Sequence, residues 1–266
     1  MRRALLATVL MLAIAPAFAA MQTKPLEWSV GDQRFSGYVV YDDTGAATRP
    51  GLVMVPNWMG VTDDALERAQ AVAGRDYVVL VADMYGKGLQ PKDSAQAGKL
   101  AGSLRGEDRG TLRARMQAAL ATLKAQAGQV PINATRIGAF GFCFGGSAVL
   151  ELARMGSDVA GVVSLHGGLQ PGAQSPTAKA IPASVLVLNG ADDKAVSDAH
   201  IAAFEQEMDA ASADWQFVDF SGAVHCFAEP SAGNDAASNC RYDERAARRA
   251  YRMMDGFFRE RFGPTP

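Results

Sequence analysis

Short runs of almost continuous apolar residues, separated by stretches of helical periodicity, constrain this chain more than any other feature. Leu52-Val53-Met54-Val55, Tyr77 to Ala82, Arg136 to Phe142, Val159 to Leu165 and Ser184 to Leu188 read as strands buried on both faces. Between them lie helical stretches. Thr62 caps the first, which carries Leu66, Ala69, Val72 and Ala73 on one side and stops at Gly74. An Ala-, Leu- and Arg-rich stretch follows to Gln126, then Ser147 to Met155, Ser197 to Ala210 and Tyr242 to Phe262. Leu26 to Val30 and Phe35 to Val40 read as a hairpin about Gly31-Asp32, and Trp215 to Phe220 as a last strand. Apolar strands alternating with helices imply an α/β fold, with a mostly parallel central sheet and helices on both faces. No internal repeat or low-complexity linker interrupts the pattern, so residues 21–266 read as one domain.

The first twenty residues read differently. Met1-Arg2-Arg3 is positive, Ala4 to Ala15 is apolar, and Pro16-Ala17-Phe18-Ala19 is a small-residue stretch of the A-x-A kind. This is the pattern of a signal peptide over residues 1–20, cut after Ala19 or Ala20. The expected location is therefore periplasmic or secreted, with no membrane attachment after cleavage and disulfides permitted. With Lys+Arg 26 against Asp+Glu 28 and no basic block, the chain lacks the electrostatic footprint of a nucleic-acid binder. Three cysteines and three histidines are too few for a convincing structural zinc site, and no metal is expected.

In such sheets ligands bind beyond the carboxyl ends of the strands, so chemistry is sought there. Gly141-Phe142-Cys143-Phe144-Gly145-Gly146 joins a strand to a helix and matches the G-x-S-x-G elbow with cysteine for serine. The sharp turn needs small flanking residues, and a helix N-terminus favours the negative charge of a thiolate. Cys143 is thus the candidate nucleophile. It needs a base, and the base needs a group to orient it; the chain order in such folds is nucleophile, acid, histidine. His200 sits inside a predicted helix and reads as a surface residue, which leaves His225, after the final strand, as the base. The acid lies in Gly190-Ala191-Asp192-Asp193-Lys194-Ala195-Val196, where the G-x-x-D-x-x-V pattern favours Asp193 over a solvated or capping Asp192. His166 ends another strand at the same edge and reads as pocket wall.

These segments, with Val224-His225-Cys226-Phe227, Asn57-Trp58-Met59-Gly60 and Ala82-Asp83-Met84-Tyr85, resemble the dienelactone hydrolase family of α/β-hydrolases. The resemblance implies the α/β-hydrolase fold and a Cys143-Asp193-His225 triad that opens lactones or cleaves esters through a thioester, without a cofactor. It also implies an oxyanion hole from the backbone amides of Trp58 and Phe144. Lys87 falls where dienelactone-cleaving members carry an arginine for the substrate carboxylate, and lysine lacks the two-pronged geometry. Two departures stand out: Asn57 replaces an acidic residue that helps switch the thiol, and Glu229 replaces a second arginine. Asn57, Lys87, His166 and Glu229 are thus the expected substrate pocket, with dienelactone itself not implied as the substrate. Cys226 and Cys240 form a candidate disulfide that fixes His225 and leaves Cys143 as the one free thiol. The expected partner is a small ester or lactone, and the expected state is a monomer. The competing reading is an exported, non-hydrolytic thiol or ligand-binding protein that kept the fold.

Overall fold

The computed structural model describes residues 21–44, 47–106, 108–174 and 177–263. The leader read over residues 1–20 lies outside them. Among the described residues eight strands form one sheet: β1 (Met21–Val30), β2 (Gln33–Asp42), β3 (Arg49–Val55), β4 (Val78–Val81), β5 (Ile132–Phe142), β6 (Gly161–Leu165), β7 (Ser184–Gly190) and β8 (Trp215–Phe220). Their spatial order is β1-β2-β4-β3-β5-β6-β7-β8. The β1–β2 hairpin turns between Val30 and Gln33 and is antiparallel, as is the β2–β4 pair; every later pair is parallel.

Among the described residues six α-helices cover the sheet: α1 (Asp63–Ala73), α2 (Ser94–Leu104), α3 (Gly110–Lys124), α4 (Phe144–Arg154), α5 (Asp198–Ala210) and α6 (Glu244–Phe262). The fully buried strands send alternate residues into two cores, as the period of a strand dictates. Leu52, Met54, Phe140, Phe142, Val163 and Leu165 meet α1 and α6 through Ala65, Ala69, Ala250, Met254 and Phe258. Val53, Val55, Ala139, Val162, Val185 and Val187 meet the other helices through Leu112, Met116, Ala148, Leu152, Phe204 and Met208. This is the three-layer α/β-hydrolase arrangement.

Local signals explain the helix starts. Thr62 Oγ1 accepts from Ala65 N at 3.2 Å, Asp93 Oδ1 from Gln96 N at 2.8 Å, and Asp243 Oδ1 from Ala246 N at 2.9 Å. Two differences from the sequence reading bear on the site. The long stretch ending at Gln126 is two helices, broken after Leu104 where Arg109 adopts the left-handed region at φ 45°. The helix placed from Ser147 begins at Phe144, directly after Cys143, so no loop separates the thiol from the helix N-terminus.

Candidate active site

The strand ends converge as the parallel topology requires. Cys143 follows β5, His166 follows β6, Asp193 lies three residues beyond β7, and His225 lies on the loop after β8. Cys143 has φ 52°, a left-handed conformation that costs energy for a residue with a side chain. Its neighbours permit the turn by lacking side chains. A Cβ on Gly141 would lie 2.3 Å from Gly145 O, and one on Gly145 would lie 2.0 Å from Val55 O. Both obstacles are backbone, so neither can swing aside. Of the five described non-glycine residues with positive φ, four gather around this site: Arg109, Cys143, His166 and Cys226.

The structure brings the three predicted groups into one line. His225 Nε2 is 3.0 Å from Cys143 Sγ, and His225 Nδ1 is 2.7 Å from Asp193 Oδ2. Asp193 is buried, and its second oxygen, Oδ1, accepts from Ala195 N at 2.9 Å and Asn239 Nδ2 at 3.1 Å. Asp192 is exposed. Backbone bonds lace the acid loop to the histidine loop, with Asp192 N donating to Ala223 O at 2.9 Å. Burial opposes a charged ring at His225, but the bonds to Asp193 and Cys143 and their negative charge outweigh it, raising its pKa to about 10. Burial likewise works against ionised Asp193, and the bond from His225 overcomes it, holding the carboxyl below its usual range. The arrangement favours the charged form of the His225 ring, which lies between the Asp193 carboxylate and the Cys143 sulfur.

Cys143 and His225 open onto a cavity of about 480 Å³, whose wall includes Trp58, Arg105, Arg109, Ser147, Leu169 and His200. That is room for a small organic substrate. Phe144 is buried; its ring stacks on Tyr85 at 5.7 Å and lies under the Arg105 guanidinium at 5.6 Å. Asn57 shapes the turn after β3, its Oδ1 accepting from Met59 N at 2.9 Å and its carbonyl from Gly60 N at 3.0 Å. Tyr85 donates its hydroxyl to Trp58 O at 2.8 Å.

The four expected pocket residues need correction. Lys87 is absent from the cavity. Asp83 Oδ1 accepts from Tyr85 N and Gly86 N and curls the loop, which leaves Lys87 paired with Glu27 in a separate groove beside Ser36 and Tyr38. Glu229 and His166 are buried behind the triad and do not line the cavity. Glu229 accepts from Asn57 Nδ2 and pairs with Arg68 of α1 at 3.3 Å, so both Asn57 and Glu229 face away from the cavity described above. Burial nevertheless raises the Glu229 pKa against these partners. His166 packs edge-on to His225 at 5.2 Å between ring centres, and burial with the adjacent His225 keeps it well below the usual histidine range. His200 is half-buried and lines the cavity instead of the surface.

Two features were missed in the sequence. Arg105 and Arg109 come from the break between α2 and α3, a segment with no motif to mark it. Asn239 follows no pattern and is recognisable only once Cys240, its neighbour, is known to be bonded. Cys226 and Cys240 are joined in a disulfide with Cα atoms 4.9 Å apart, and Cys143 is the free cysteine. Behind the cavity, α4 carries a buried carboxylate, Glu151, which receives Arg109 at 3.0 Å, Arg113 at 2.8 Å and Arg154 at 3.1 Å. Among the described residues no group of three or more His, Cys, Asp or Glu could hold a metal ion, and no helix is long and apolar enough to cross a membrane.

Comparisons with known proteins agree with this architecture. A solved structure named m3DLH is 34% identical and superposes with a TM-score of 0.84, covering 92% of this chain and 100% of its own. A dienelactone hydrolase-like promiscuous phosphotriesterase from metagenomic libraries is 35% identical, with a TM-score of 0.83 over 92% of this chain and 100% of its own. An uncharacterized protein of Caenorhabditis elegans is 36% identical over 155 residues, which are 58% of this chain and 96% of that protein. The model of the dienelactone hydrolase family matches residues 35–262. The chain therefore belongs to the dienelactone hydrolase family and is an ester-cleaving hydrolase of the α/β-hydrolase fold.

Proposed function

We propose that the chain hydrolyses small carboxylic esters or lactones with Cys143 as nucleophile, His225 as acid–base and Asp193 as the group that orients it. The observation that carries this reading is the continuous line from Asp193 through His225 to Cys143, at 2.7 and 3.0 Å. The sulfur attacks the carbonyl carbon, and the oxyanion is held by the amides of Trp58 and Phe144. Such donors are worth about 2.7–4 kcal/mol each at a developing oxyanion. Collapse breaks the C–O bond; the proton on His225 Nε2 passes to the leaving alkoxide, and a thioester remains. Water then attacks the thioester, His225 takes the water's proton, and the thiolate departs with the acid product.

The same reading puts the protein outside the cytoplasm, periplasmic or secreted, after loss of residues 1–20. The leader pattern and the paired Cys226 and Cys240 support it. N-terminal sequencing of protein recovered from the cell envelope or medium tests this, and an intact Met1 there would overturn it.

For the chemistry, p-nitrophenyl acetate turnover and iodoacetamide labelling are measured on the same samples. Labelling confined to Cys143 should abolish turnover in proportion, and Cys143→Ala should be inactive. Full activity in Cys143→Ala would end the proposal.

A further inference from the structure

The acid of the triad is held by a residue that no motif marked. Asn239 donates Nδ2–H to Asp193 Oδ1 at 3.1 Å, while its own Oδ1 accepts from Lys194 N at 3.1 Å. Both ends of the amide are engaged, so its orientation is fixed by its partners. With Ala195 N on the same oxygen, Asp193 is turned so that Oδ2 faces His225.

What holds Asn239 is not a core. Residues 233–241 contain no buried side chain, and Cys240 itself is exposed. Segments of this kind open locally at little cost unless something ties them down. The ties are the Cys226–Cys240 disulfide, a β-bridge between His225 and Cys240, and Arg241 N donating to His225 O at 3.1 Å. The disulfide thus joins the residue after the base to the residue after Asn239, and both cysteines border the cavity.

We propose that Asn239 is a positioning residue for the catalytic acid and that the Cys226–Cys240 bridge keeps it in place, so that full turnover requires the bridge to be closed. This rests on the triad reading above. The groups facing His225 are Cys143, Asp193 and the buried His166, with Glu229 beyond. Of these, Asn239 acts on Asp193 alone. Removing its N–H frees the Asp193 carboxylate to turn away from His225 Nδ1, so the ring loses its aligned partner, which lowers kcat and shifts the alkaline limb of the pH profile.

The test uses phenyl acetate hydrolysis from pH 5 to 10 by the mature protein, with Asn239→Ala, Asn239→Asp and Cys143→Ala beside it. Each is measured with and without a phosphine, which reduces the bridge to two thiols and is itself oxidised to the phosphine oxide with oxygen from water. Asn239→Ala should lose about tenfold in kcat, with little change in KM, as expected for an ionic hydrogen bond. Asn239→Asp should lose more at pH 8, and recover relative to wild type toward pH 5, where the new carboxyl protonates and donates again. A merely structural role would not produce that recovery. Phosphine should lower wild-type kcat several-fold and Asn239→Ala by less than twofold, because the two act on one element. A wild-type kcat and pH profile in Asn239→Ala, or an equal phosphine effect in both proteins, overturns the inference. If Cys143→Ala is active the triad reading falls first; if it is inactive while Asn239→Ala is unaffected, this inference alone fails.

Discussion

Replacing Asp193 by asparagine tests the site with almost no change of volume, and the surroundings dictate how the new amide must sit. The Oδ1 position receives two N–H donors, from Ala195 and Asn239. Only a carbonyl oxygen can occupy it, which forces the amide NH2 into the Oδ2 position, 2.7 Å from His225 Nδ1. The amide then donates to Nδ1, so the ring carries its single proton on Nε2, facing the sulfur. Both the imidazolium and a free base at Nε2 are disfavoured. A hydrogen bond to a charged group is worth about 1.5–3 kcal/mol, so the imidazolium population falls by roughly 10–100-fold. The wrong tautomer adds to this; in serine triads the equivalent exchange costs about 10⁴ in kcat. For Asp193→Asn we expect kcat/KM on p-nitrophenyl acetate at pH 7.5 to fall by about 10²–10⁴, with slower alkylation of Cys143. The melting temperature should change little by comparison. A variant within fivefold of wild type would show that Asp193 does not govern the state of His225, and the mechanism would have to be redrawn.

Gly145→Ala pushes a Cβ to 2.0 Å from Val55 O, backbone against backbone, so α4 must move off β3; we expect at least about 3 kcal/mol of destabilisation and a fall of roughly 6–12 °C in melting temperature. Calorimetry showing a wild-type melting temperature would contradict the packing argument. The cavity wall carries Arg105, Arg109 and His200 and no Asp or Glu among its described residues, so Arg105→Glu should lower kcat/KM for p-nitrophenyl hemisuccinate about threefold more than for neutral p-nitrophenyl butyrate. Equal losses on both esters would deny the arginine any part in selectivity. His166 is buried with its pKa depressed by burial and by His225; below about pH 6.5 the unfolded chain therefore binds a proton there that the folded chain refuses. As the pH is lowered through this range the group costs up to about 1.4 kcal/mol of stability per unit, and His166→Leu should remove that component of the slope in urea titrations at pH 5 and 7.

The parts of the molecule visible in the sequence are those fixed by short-range physics. Leu52 to Val55 could only be a strand covered on both faces, and Gly141 and Gly145 flank a turn that tolerates no Cβ at either place. Chain order left two histidines after Cys143, and the loop position after the last strand singled out His225. The misread residues depend on how loops fold over distances the sequence does not display. Lys87 was assigned by position, but Asp83 bends its loop toward Glu27. Glu229 was read as facing substrate because it falls where the resembled family carries an arginine, but here Arg68 of α1, remote in sequence, draws it behind the triad. His200 was set on the surface because it lies inside a helix, yet the cavity reaches the start of α5. Arg105 and Arg109 owe their place to a helix break that alanine-rich periodicity concealed.

Glu151 ties three guanidinium groups to the helix that begins at the thiol, and one of them, Arg109, is also cavity wall. Removing one member of a buried ionic group typically costs about 3–5 kcal/mol, because the others are left uncompensated. Substrate preference and foldedness are therefore entangled at position 109. Arg105, exposed and in contact with only the Phe144 ring among the described aromatic partners, carries no such obligation. Directed evolution toward new substrates should accumulate changes at 105 and leave 109 untouched, a bias that deep mutational scanning of this stretch would display.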